Sequence, residues 1–167
     1  MIVQKGTPME WLKHLAPKEV PVFPHHGVVL GASGLLMEKG ATLVLAYRYP
    51  HLPTAFASEI CRAGIHLYGR VWNYGFVLST ASGQPVGLYQ TRFDHRDVPD
   101  LGVTRASLQK LARWLEGDPD FNVLLVLPET AAWDSDLIKD LVAHDPSLKG
   151  RVRFIPEHAL LETRYAV

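Results

Sequence analysis

Apolar residues in this chain fall into short unbroken runs and longer periodic stretches, and the two alternate. Residues 20–23 (VPVF) form a run too short for a helix and read as a buried strand; residues 2–5 (IVQK) read as another. Between them a short helix is expected over 10–15, with Thr7 as its cap and Pro8 in its first turn. After a long loop (24–39), apolar residues at helical spacing run from Gly40 to Pro50, and again from Pro53 to Gly64, where a left-handed glycine would stop the helix. The pattern then turns to strands. Residues 67–72, 75–79 and 86–89 are aromatic and β-branched, parted by the turn residues Asn73 with Gly75 and Ser82 with Gly83. Leu108, Leu111, Ala112 and Leu115 mark a helix over 104–115, and Leu137, Ile138 and Leu141 another over 135–143. Residues 123–127 (VLLVL) are continuously apolar, as in a strand covered on both faces, and 152–155 give a last strand. The pattern therefore predicts an α/β chain: a three-layer α/β/α domain over 1–167 with a central mixed sheet, in which 20–23 and 123–127 are neighbouring central strands.

Composition narrows the function. At 167 residues one sizeable core is possible, and no repeat or linker interrupts it. Lys plus Arg and Asp plus Glu are both 17, so the net charge is zero, which argues against non-specific nucleic-acid binding or an anionic membrane surface as partner. The single cysteine, Cys61, excludes an internal disulfide and reads as a small buried hydrophobe. The apolar stretch over 28–37 is broken by Gly31, Ser33 and Gly34, so neither a leader nor a membrane span is expected, and the chain reads as cytoplasmic.

The most informative stretch is MEKGATLVLAYRYP (37–50), a glycine turn running straight into a helix. Following the strand at 20–23, it puts backbone N–H groups and a helix N-terminus at the carboxyl end of a strand, where anions bind. Lys39, Gly40 and Ala41 would meet such an anion, or form an ordinary tight loop. His25 and His26 end the strand; one of them could bind a ligand or serve as a base near neutral pH, though adjacent residues of a strand face opposite ways. His51, His66 and His95 are scattered without metal-ligand spacing, so no metal and no cofactor are expected. Arg92, Asp94, His95, Arg96 and Asp97 form a dense polar cluster that would hold a ligand or simply pair internally. Glu129, Asp134 and Asp136 offer carboxylates for acid/base work or for capping the next helix, and Ser33, Ser79 and Ser82 lack a nucleophile-elbow setting. Trp72, Tyr74, Phe76, Tyr47 and Tyr49 are read as core before base-stacking residues.

In this order the segments resemble the macro domain, specifically the small phage and bacterial ADP-ribose-binding type. That type runs a strand into an Asn-Gly corner and a Met-Gly-x-Gly-x-Ala turn, then a helix ending near Tyr-Pro; here the places read PHHG (24–27) and MEKGATLVLAYRYP. Its later strand with a Pro-Thr-Lys and His/Trp/Asp loop is matched by YQTRFDHRDVPDL (89–101), and its Val-Leu-Pro strand end by 126–128. The resemblance spans about 2–155. Three departures stand out: His26 replaces the ribose-holding asparagine, Glu38 replaces a turn glycine and would repel phosphate, and residues 129–137 (ETAAWDSDL) contain no glycine for a phosphate loop.

The resemblance implies a module binding ADP-ribose or a related nucleotide, with weak or no hydrolase activity. The alternative is a degenerate scaffold that binds a protein partner or another small ligand. The implied ligand-binding residues are His25, His26, Gly27, Lys39, Gly40, Ala41, Thr91, Arg92, His95, Pro128, Glu129, Thr130 and Trp133, with His26 as the one catalytic candidate. They would line a crevice walled by residues 24–41, 90–97 and 128–134.

Overall fold

Burial on both faces of one strand, β1 (Glu19–His25), with Val20 and Val22 on one side and Pro21 and Phe23 on the other, places it at the middle of a sheet. The computed structural model describes residues 15–128 and 132–157, with side chains from 135 onward in the second stretch. Two helices follow β1, α1 (Gly40–Arg48) and α2 (Leu52–Ala63). Next come a small hairpin, β2 (Ile65–Tyr68) with β3 (Val71–Asn73), and a longer one, β4 (Phe76–Ala81) with β5 (Gln84–Gln90). The chain then alternates: α3 (Leu101–Gly117), β6 (Asn122–Leu127), α4 (Ala132–Ala143) and β7 (Val152–Pro156).

The main sheet has the order β4-β5-β1-β6-β7, mixed as the pattern predicts: β1 is parallel to β5 and β6, β6 is parallel to β7, and β4 is antiparallel to β5. The expected neighbours pair directly, Val20 with Val123 and Val22 with Leu125. Side-chain alternation sorts the core into two halves. Phe23, Val77, Leu88 and Val126 face α1 and α2, packing with Leu45, Leu52, Phe56 and Ile60. Val20, Val22, Val123, Leu125 and Leu127 face α3 and α4, packing with Leu108, Leu111, Leu115, Ile138 and Val142. These are the two outer layers of an α/β/α arrangement.

Four local expectations change. The single strand over 67–72 is a two-stranded hairpin, because Gly69 takes φ +51° and reverses the chain between Tyr68 and Val71. Gly64 stops α2 in an extended conformation, φ −92° and ψ 179°, not a left-handed one. Glycine is needed there for space: a Cβ would lie 2.6 Å from the Ile60 carbonyl oxygen. Cys61 is exposed. The buried face of α2 is Leu52, Phe56, Ala57 and Ile60, and Cys61 is rotated about 100° beyond Ile60. Helix α3 starts earlier than Thr104, because Asp100 caps it by accepting from the N–H of Val103 at 2.9 Å. The expected strand at 2–5 and nearly all of the helix at 10–15 lie outside the described residues. Among those described, no helix is long and apolar enough to cross a membrane.

Candidate functional site

The carboxyl ends of β1, β5 and β6 open onto a crevice of about 300 Å³. Parallel strands end together there, and the loops that leave them must part, which is why such sheets collect ligands at this edge. The end of β1 and the residue after it contribute Pro24, His25 and His26; the turn into α1 and its first residues contribute Glu38, Lys39, Gly40 and Thr42. Thr91, Arg92 and Pro99 come from the segment after β5, Pro128 from the end of β6, and Glu157 from just past β7.

The histidine pair is fixed by hydrogen bonds that leave little freedom. β1 ends at His25, so strict strand alternation no longer governs His26, and the two rings lie 4.1 Å apart instead of on opposite faces. Both are buried, His26 at 1% exposure. The Nδ1 of His26 accepts the backbone N–H of Val28 at 3.1 Å, which assigns the ring proton to Nε2; that N–H is donated to the Glu38 carboxylate at 3.1 Å. Burial, and after it the nearby Arg92 guanidinium, lowers the His26 pKa to about 3. Burial and then His26 itself lower that of His25 to about 3. Both imidazoles are therefore neutral near pH 7. His25 makes one further contact, from Nε2 to the carbonyl of Leu36 at 2.8 Å, as donor. Since both nitrogens of His26 are engaged, proton abstraction by that ring would require breaking one of these bonds.

The entrance of α1 is built on Gly40, whose φ of +66° suits glycine. The helix has no side-chain cap at Lys39 and no acidic residue in its first turn. Its Ala41 N–H is taken by a carboxylate from far along the chain, Glu157 Oε1 at 2.8 Å. That oxygen sits so close over Gly40 that a Cβ there would lie 2.1 Å from it. A carboxylate of the chain itself thus occupies the helix N-terminus, where the partial positive charge favours an anion.

Two cations line the same crevice, Lys39 and Arg92. The Nε of Arg92 is buried and has no hydrogen-bond partner among the described residues. Such a group is rare enough in native proteins to call for a reason. Beyond it, the polar cluster pairs internally: Arg96 Nη2 donates to Asp94 Oδ2 at 3.0 Å, and His95 Nδ1 lies 3.0 Å from Asp94 Oδ1 without hydrogen-bond alignment. The Arg96 hydrogen bonds hold the Asp94 carboxyl well below the usual carboxylate range.

Of the residues expected at the site, His25, His26, Lys39, Gly40, Thr91, Arg92 and Pro128 are gathered at this crevice, with Ala41 adjoining it through its N–H. Gly27 serves packing, since a Cβ would lie 2.0 Å from the Trp72 carbonyl oxygen. His95 borders a separate hollow under the β2–β3 hairpin, its ring 5.6 Å from that of His26. Glu129, Thr130 and the Trp133 side chain lie outside the described residues. Tyr74 and Phe76 are core: the Tyr74 hydroxyl donates to the His26 carbonyl at 2.9 Å, and Phe76 packs on Trp114. Sequence reasoning missed Glu157, Thr42 and Pro99. Glu157 lies 116 residues from Ala41, and no local pattern could have linked them. Glu38 was legible as a carboxylate beside the entrance of α1; its bond to His26 was not.

No protein-family model matches the chain, and no curated protein resembles it in sequence. Solved structures do share the fold. The macrodomain of Thermus aquaticus DarG superimposes with a TM-score of 0.59 at 16% identity, covering 85% of this chain and 91% of that one. The macrodomain of Mycobacterium tuberculosis DarG gives a TM-score of 0.59 at 19% identity, covering 84% and 89%. The chain thus shares the macrodomain fold.

Proposed function

We propose that this chain is a macrodomain-type module that binds ADP-ribose or a related nucleotide in the crevice at the ends of β1, β5 and β6, with weak or no hydrolysis. The carrying observation is the convergence there of the α1 N-terminus, Lys39 and the unpartnered Nε of Arg92. All three favour a phosphate, and a hydrogen bond between charged groups contributes about 1.5–3 kcal/mol. Macrodomain fold neighbours support the same class of ligand. Weak binding follows from Glu157, which a phosphate must displace from Ala41. Weak turnover follows from His26, because a ring with both nitrogens engaged has no lone pair to offer a water.

Calorimetry with ADP-ribose, NAD, AMP and cyclic nucleotides tests this reading. Saturable binding that falls at least about ten-fold in Arg92→Gln supports it. Incubation with ADP-ribosylated protein and nucleic acid should release ADP-ribose far below about 1 per second, and His26→Ala should change that rate little. The carboxylates of Glu38 and Glu157 in the crevice favour the second reading, a degenerate scaffold for a protein partner or a non-phosphate ligand. Absence of binding to every nucleotide at millimolar concentration would select it.

A further inference from the structure

Glu38 stands where a phosphate-binding site would least tolerate it, yet it is held there by a chain of contacts. The carbonyl of His26 is anchored by the buried Tyr74 hydroxyl at 2.9 Å, and its Nδ1 by the Val28 N–H at 3.1 Å. The imidazole is 1% exposed and cannot swing away, so its Nε2–H points in one direction only. That direction ends on Glu38 Oε2 at 3.1 Å. The glutamate itself is 30% exposed and lines the crevice. A neutral imidazole orients the carboxylate without cancelling its charge. The remaining lone pairs can accept hydrogen bonds but donate none.

The crevice therefore carries two unlike demands. Lys39, Arg92 and the α1 N-terminus favour a phosphate, whereas Glu38 favours a group bearing O–H or N–H donors. A single ligand meets both when it has a diphosphate and a hydroxyl-bearing end.

We propose that Glu38 is the specificity-determining residue of this crevice: its carboxylate, positioned by His26, accepts hydrogen bonds from the hydroxyls of a terminal sugar and turns away a terminal phosphate. The inference rests on the nucleotide reading above and deepens it, because it separates sugar-ended from phosphate-ended nucleotides. His26 is then a positioning residue.

Glu38→Gln is the informative change, since the amide oxygen still accepts from His26 Nε2–H while its NH₂ offers donors in place of acceptors. Binding of ADP-ribose, ADP and ATP is measured by calorimetry for the wild type and this variant. Glu38→Ser, which removes the carboxylate altogether, serves as a second variant should the first fold poorly. The wild type should bind ADP-ribose at least about ten-fold more tightly than ATP, and either variant should reduce that ratio to about two-fold or less, with the melting temperature of Glu38→Gln unchanged. An unchanged ratio in both variants overturns the role of Glu38 and leaves the nucleotide reading intact. No binding of any of the three by any of the proteins overturns the nucleotide reading, and the role of Glu38 with it.

Discussion

Removing the Glu157 carboxylate should weaken the fold and tighten anion binding at once, two effects of opposite sign from one bond. Helix α1 has no side-chain cap of its own and no acidic residue in its first turn, so the charge at its N-terminus is supplied by Glu157 through the 2.8 Å bond to Ala41 N–H. Losing a cap costs about 0.5–2 kcal/mol, and losing an anion at a helix N-terminus about 0.3–1 kcal/mol. Glu157→Ala should therefore lower stability by about 1 kcal/mol, and Glu157→Gln by less, because the amide oxygen can still accept. The same contact opposes an incoming phosphate. If it contributes about 1 kcal/mol, its removal should raise affinity for ADP-ribose roughly five-fold, and relief of charge repulsion should carry the gain toward ten-fold. Urea unfolding followed by circular dichroism gives the first number, and calorimetry the second. A variant with unchanged stability and unchanged affinity would refute the reasoning.

Two further outcomes follow from buried titratable groups. The histidine pair has folded-state pKa values lowered from 6.5 to about 3, so between these limits the unfolded chain takes up protons that the folded chain refuses. Stability should be highest above pH 6.5 and fall by up to about 1.4 kcal/mol per pH unit for each imidazole as pH drops; urea midpoints from pH 7.5 to 5 check this, and a flat profile contradicts it. Glu19 is buried at the start of β1 and is held by Arg153 of β7, Nη2 to Oε1 at 2.6 Å and Nε to Oε2 at 3.1 Å. Arg153→Met should strand that carboxylate and cost about 1–3 kcal/mol in urea unfolding, with part of the loss recovered by adding Glu19→Gln.

The two central strands, the helices between them and the mixed sheet were legible in the sequence, because periodicity records which faces meet water. VLLVL has no polar position to expose, so it had to lie in the middle of a sheet. Asp100 and Gly69 escaped notice for a local reason: a cap and a tight turn depend on one residue each, and apolar patterning does not weigh single residues. The helix entrance at Lys39 and Gly40 was legible too, since a strand followed by a glycine turn and a periodic apolar stretch implies it. What fills that corner was decided by tertiary structure alone. Glu157 reaches Ala41 only because β6 and β7 lie parallel beside β1 and deliver the residue after β7 to the same sheet edge. The neutral state of His26 is likewise a property of its surroundings. A histidine in sequence titrates near 6.5; sealed by the fold and held between Val28 and Glu38, it becomes a fixed donor that aims a carboxylate.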